Sequence, residues 1–464
     1  MVLTKPDTGW AWVVMMASFS IFIINGFLCY GYGMVQIALL ERFDDSIAKT
    51  SLVGSLFSTF LSCGGVLDGL LIRRYSCRLV AVAGGLVMTI GIFVSAFMTS
   101  LDWIIVTFGV VGGVGSGIQY TALYVTLGYN FKRNVNIASG FAVSGVGVGT
   151  FILTPVFAYL MTIYTLEGLF ICLAGLSLQS VAFGVMFFPS SLEMQHRQNS
   201  SNFHQARQSE NSSEDSFSVV LLRLFKTLHF VVLLIGIGIG NFGTYIVYIH
   251  FANYTKHKGA TEIQTAFLLS VIGLGSCVSR ILTGLACNSK VIDEPTLLFG
   301  TYTICGIFTT LLPIYSHTFT GQLVFAIAFG LYAGCLYGIM NGITLRYLPL
   351  NYLGTAVGIE LAVIGFAIMT GPPAIGLITD VTANYDIGVV IAGLCILVGA
   401  ILTLVAESCY TTNKNNDLSD CNKDFIISLP EDVSPKLETK EEDGQCIGND
   451  GIPSNKESDM MLVG

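Results

Sequence analysis

The 464-residue chain is 53% hydrophobic and 11% charged and carries 51 glycines, which excludes a soluble globular domain and indicates a polytopic membrane protein. Its net charge of −8 says little about partners, because much of the acid crowds near the end of the chain at Glu431, Glu438, Glu441, Glu442 and Asp443. No nucleic-acid partner is expected. Of twelve cysteines, Cys29, Cys63, Cys172, Cys277, Cys305, Cys335 and Cys395 lie in apolar runs. None has C-x-x-C spacing, so they read as small packing residues, and no metal or cofactor is expected.

The first apolar run starts at Trp10, follows no basic region and is too long for a signal core, so it reads as a retained first span, Trp10 to Leu39. Five more follow: about Ser51 to Ile72, Leu79 to Met98, Trp103 to Tyr129, Ile137 to Met161 and Leu166 to Phe188. Between Ser190 and Ser218 the chain turns polar and rich in Ser, Asn and Gln, the composition of a flexible linker. Six further runs cover about Leu228 to Phe251, Ile263 to Cys287, Thr296 to Tyr315, Leu323 to Thr344, Leu353 to Ile378 and Ile387 to Ala406. From Ser408 onward no apolar run remains and a disordered tail is expected. The organisation predicted is a first half over 1–189, a linker over 190–226, a second half over 227–407 and a tail over 408–464. Gly109, Gly113 and Gly117 in span four, Gly145 and Gly149 in span five, and Gly236 and Gly240 in span seven recur every four residues, a spacing that lets helices approach closely.

Orientation follows from the basic residues near span ends. With the N-terminus in the cytosol, that side receives Lys5, Arg73, Arg74, Arg78, Lys132, Arg133, Arg197, Arg207, Arg223, Lys226, Lys290 and Arg346, and the other side only Arg42, Lys49, Lys256 and Lys258. The asymmetry places both termini and the linker in the cytosol.

Arg280 is the one charge in Thr265 to Leu285, and of the 22 Lys and Arg the only one that this reading puts inside a membrane-length apolar run. There it costs roughly 2.5–3.5 kcal/mol on insertion scales. Two roles are open to it: snorkelling toward headgroups, or binding an anion in a wet cavity. Two six-span halves around a cytoplasmic linker are similar to the major facilitator fold, an all-α membrane architecture of 12 transmembrane helices whose substrate site lies at mid-membrane between the halves.

Three motifs resemble the monocarboxylate transporter family across the membrane domain. Asp7-Thr8-Gly9-Trp10-Ala11-Trp12 is similar to the family's entry into span one. Tyr129-Asn130-Phe131-Lys132-Arg133, with Ala138, Gly140, Ala142, Gly145 and Gly149 after it, resembles the signature before span five. Gly371-Pro372-Pro373 with Gly376, Asp380 and Tyr385 resembles the end of span eleven. Arg280 with Gly284 then matches the span-eight arginine, which the resemblance implies pairs with a substrate carboxylate. Two departures stand out: Gly33 replaces the lysine, and Ser276 the aspartate, of the family's proton-coupled lactate and pyruvate carriers. Their loss removes the groups best placed to exchange a proton. The resemblance is therefore to divergent branches that take larger or zwitterionic carboxylates.

Without Asp at 276, Glu360 in span eleven is expected to balance Arg280, against a structural role near the end of its helix. Asp68 with Arg74 reads as an inner-gate salt bridge, joined in that gating region by Lys132 and Arg133. Asn241, Tyr245, Tyr248, Tyr337, Asn341, Tyr30 and Tyr32 offer hydrogen bonds either to a substrate or to neighbouring helices. The function expected is a plasma-membrane secondary transporter of a small organic anion or zwitterion, facilitative and working by alternating access. The alternative is a transporter-like binding or escort protein without flux. An intramembrane enzyme is not expected, since no Ser-His, His-Glu-x-x-His or paired-aspartate set falls in the spans. Family members often need a single-span ancillary glycoprotein, a requirement that nothing in the sequence encodes.

Overall fold

The computed structural model describes residues 7–132, 135–194, 224–289, 292–348 and 353–427. Every regular element among them is helical, as expected where backbone groups must be satisfied without water. The first span is α1 (Trp10–Tyr30) and α2 (Tyr32–Phe43), interrupted at Gly31. A Cβ there would come 2.5 Å from the Phe27 ring, so the break is open only to glycine. Span two is α3 (Ile47–Arg74) and span three α4 (Cys77–Ser95), whose start is capped by Ser76 Oγ accepting from Leu79 N–H at 3.3 Å. Span four runs from α5 (Leu101–Ile104) through a π-helical stretch (Ile105–Gly112) into α6 (Gly113–Asn130). Spans five and six are α7 (Val135–Met161) and α8 (Leu166–Val185).

Spans seven to nine are α9 (Leu228–His257), α10 (Glu262–Ser289) and α11 (Glu294–Tyr315). Span ten is split at Gly334 into α12 (Phe319–Ala333) and α13 (Cys335–Tyr347). Spans eleven and twelve are α14 (Leu353–Thr382) and α15 (Tyr385–Ile427). Eleven helices among the described residues are long and apolar enough to cross a membrane. The side chains of span two beyond residue 64 lie outside what is described; over 47–64, Thr50, Ser51, Ser55, Ser58, Thr59 and Ser62 are buried, and this face packs on span eleven, where Thr59 Oγ1 donates to Gly365 O at 3.0 Å. The last helix also runs past Ala406, where an end was expected. Propagation adds one hydrogen bond per residue and needs no apolar face. Residues 195–223 of the linker and the tail from 428 lie outside the described residues, as do Arg133 and the side chains of Asp68, Arg74 and Asn341. A second compact unit, Asn413–Gly464, contributes only the end of α15.

The glycine spacings act as expected. A Cβ at Gly145 would lie 2.5 Å from Phe19 O, and one at Gly149 would overlap the carbonyl of Ile23, so span five rests directly on span one. Gly113 meets Phe57 of span two, and Gly236 meets Leu402 of span twelve. Spans five and eight cross as closely, with a Cβ at Gly147 only 2.6 Å from Cys277 N.

Two motifs far apart in the chain meet at the end of the bundle where the described chain enters. Asp7 N–H donates to Asn130 O at 2.9 Å, Lys132 N–H donates to Asp7 Oδ2 at 3.0 Å, and the Trp12 and Phe131 rings lie 5.4 Å apart. At this end Arg346 of span ten reaches Glu407 of span twelve at 2.6 Å and Asp293, just before span nine, at 3.2 Å. The far end is tied across the first and last six spans. Lys256 of span seven pairs with Glu41 of span one and with Glu262 at 3.1 Å. Asp380 of span eleven accepts from Ile47 N–H at 2.9 Å and Ala48 N–H at 3.1 Å, capping span two. The third motif thus builds a closure: Gly376 leaves room for Ala48, and the carboxylate meets the positive end of a helix dipole.

Candidate functional site

Beneath that closure, Arg280 is 5% exposed. Span eight delivers it against span five, and Nη1 donates to Val143 O at 3.3 Å. Its Cζ lies 5.6 Å from the ring centroid of Tyr30, the last residue of α1, and 5.6 Å from that of Tyr337 in α13. Both rings stand close to a break, at Gly31 and Gly334. Tyr245 of span seven locks them together, its hydroxyl donating to Tyr30 Oη at 3.1 Å and lying 3.1 Å from Tyr337 Oη. Tyr248 meets Tyr30 edge to face at 4.6 Å. Arg280 Nε has no partner, and among the described residues no carboxylate pairs with this guanidinium. A cation covered by aromatic faces, with an unused donor, can accept a planar anion bidentately.

The expected partner for it is elsewhere. Glu360 is fully buried and takes Thr344 Oγ1 at 2.8 Å, while its Oε2 has no partner. Thr344 Oγ1 also lies 2.7 Å from Met340 O. A hydroxyl has one proton, so both bonds form together only when the carboxyl supplies the second. Glu360 is thus joined to span ten, and its contact among the described residues is Thr344 and not Arg280.

Of the polar candidates, the structure brings Tyr245, Tyr337, Tyr30 and Tyr248 to Arg280. Asn241 instead binds Tyr302 Oη at 3.2 Å and Ile237 O at 2.8 Å, fixing span seven to span nine. Tyr32 donates to Thr50 O at 2.6 Å and joins spans one and two. The Lys132 side chain is exposed. Asp68, Arg74, Arg133 and Asn341 fall outside what the structure describes. Sequence reading missed the cap that Asp380 places on span two, although the motif containing it was visible.

At the two departures the packing is tight. A Cβ at Gly33 would meet Ala252 Cβ at 3.0 Å and Ile249 O at 3.2 Å, so a side chain there requires span seven to give way. Ser276 abuts the break in span ten, with its Oγ 2.9 Å from where a Cβ on Gly334 would sit.

Comparison with known proteins agrees with this fold. The sequence pattern described as Major Facilitator Superfamily matches residues 11–372. The chain is 26% identical to monocarboxylate transporter 13 of Bos taurus over 431 residues, covering 92% of this chain and 97% of that protein. It is 27% identical to monocarboxylate transporter 2 of Rattus norvegicus over 419 residues, covering 87% and 84%. Among solved structures, a D-xylose-proton symporter superposes with a TM-score of 0.66 at 13% identity, covering 85% of this chain and 97% of that one. That likeness shows the fold.

Proposed function

Since the chain belongs to the Major Facilitator Superfamily, and within it to the monocarboxylate transporter family, we propose that this secondary transporter moves a small monocarboxylate, or a related carboxylate or zwitterion, across the plasma membrane facilitatively. Arg280 is the anchor in this reading. The observation that carries it is a buried guanidinium with a free Nε and no carboxylate partner among the described residues, a state that an incoming carboxylate completes. Tyr337 flanks the anchor with its ring and a hydroxyl held near Tyr245.

The halves of the proposal are 1–189 and 227–407, with 190–226 between them and both termini cytoplasmic. The far end is then the outer face, shut by Lys256–Glu41 and by Asp380 on span two. Rocking of one half against the other breaks these ties and exposes Arg280 to the outside. A substrate shifts that equilibrium only by binding the states unequally. Among the described residues no carboxylate pairs with Arg280 that could receive a substrate ammonium, which favours simple monoanions over zwitterions. The test is uptake of labelled L-lactate, pyruvate, benzoate, phenylalanine, creatine and carnitine into proteoliposomes holding the purified chain. Saturable uptake of at least one carboxylate supports the reading, and uptake of none above protein-free vesicles overturns it.

A further inference from the structure

The facilitative reading creates a physical problem at Arg280. A carrier crosses between its two faces twice per cycle, once loaded and once empty. Exchange of one substrate molecule for another uses only the loaded crossing, whereas net flux needs both. In the loaded crossing the carboxylate compensates Arg280. In the empty crossing no anion among the described residues does, and an enclosed cation without compensation is costly.

What covers Arg280 instead is a pair of rings, each 5.6 Å from Cζ, within the range where the negative face of an aromatic ring attracts a guanidinium. The attraction strengthens when water is excluded, as it is around a residue 5% exposed. The rings come from different parts of the bundle, Tyr30 from span one and Tyr337 from span ten. The sandwich is therefore complete only when the first and last six spans close around Arg280. Their orientation is held by the Tyr245 hydroxyl, 3.1 Å from each, and Tyr30 is braced by Tyr248 at 4.6 Å.

We propose that the Tyr30–Tyr337 sandwich stands in for the missing carboxylate while the empty carrier returns, and that Tyr30 is the positioning residue that lets the protein run net flux instead of exchange alone. This deepens the reading of Arg280 as anchor and rests on it. Tyr30 acts on Arg280, not on the substrate. Its ring is what covers Arg280, and the Tyr248 ring still braces it when the bond from Tyr245 is lost, so its hydroxyl is dispensable for the return step.

The test compares net uptake into empty proteoliposomes with uptake into vesicles preloaded with the same unlabelled carboxylate, using whichever of labelled L-lactate, pyruvate or benzoate the wild type moves fastest. Tyr30→Leu lowers net uptake about tenfold, the rate change corresponding to about 1.4 kcal/mol, and lowers exchange several-fold less than net uptake. Tyr30→Phe keeps both, which separates loss of the ring from loss of the hydroxyl. Equal losses of net uptake and exchange in Tyr30→Leu, unchanged net uptake in it, or a fall in Tyr30→Phe as large as in Tyr30→Leu, overturns the proposal. Exchange that persists in Arg280→Ala sinks the underlying anchor reading separately.

Discussion

Asp380, near the end of span eleven, accepts the backbone N–H of Ile47 at 2.9 Å and so caps a helix that begins 333 residues earlier in the chain. With the Ala48 N–H on its other oxygen, it closes the far end of the bundle over Arg280. Removing a side-chain cap of this kind costs about 0.5–2 kcal/mol, which here weakens the closed state. Asp380→Ala is therefore expected to expose the site from the far side several-fold more often. The check is the rate at which a membrane-impermeant thiol reagent labels Cys29, buried beside Ser58 at 3.1 Å, in a chain with its other cysteines replaced by serine. An unchanged rate would mean that the cap does not hold the gate.

Gly33→Lys restores the residue type of the proton-coupled relatives but meets Ala252 and Ile249 O at once. Overpacking a tight contact costs roughly 1–3 kcal/mol, so this variant should lose uptake without gaining proton coupling. Ala252→Gly in the same chain should recover part of the loss. Uptake at outside pH 6 and pH 8, with the inside near pH 7, decides the matter. A protonophore-sensitive acceleration at pH 6 in Gly33→Lys would show that the space is there after all.

Glu360 is held by Thr344 and not by Arg280, so Glu360→Gln should be mild. The amide nitrogen can donate to Thr344 Oγ1 while that hydroxyl donates to Met340 O, keeping both bonds. Uptake within about twofold of wild type is expected, equally at pH 6 and pH 8. Loss of uptake together with loss of a pH dependence present in the wild type would make Glu360 a proton site and the carrier a symporter.

Much of the fold was readable in the sequence because lipid imposes it: apolar runs of membrane length announce helices, and a lone arginine within one announces a site. Glycines four apart announced close helix contacts for the same reason, since backbone can approach backbone only where no side chain intervenes. What could not be read were partners. Glu360 and Thr344 are 16 residues apart but on different spans, and helix periodicity is silent on which faces of two helices meet. Asn241 and Tyr32 looked like substrate donors until Tyr302 and Thr50 proved to occupy them. Gly31 and Gly334 carry no sign in the sequence of a helix break, yet they interrupt their helices close to the two rings around Arg280. Span two was readable as an apolar run, but that its Ser and Thr residues face span eleven was not.

The central claim is that Arg280 receives a carboxylate, and Arg280→Lys tests it most directly. A lysine keeps the charge but cannot make the paired, planar contact of a guanidinium. Losing a charge-assisted bidentate contact of this kind is worth about 1.5–3 kcal/mol, roughly a tenfold to hundredfold loss of affinity. Saturable uptake of the best-transported carboxylate should therefore fall by at least tenfold in Arg280→Lys, at equal surface expression and with normal elution of the purified protein. Wild-type uptake kinetics in that variant would contradict the account.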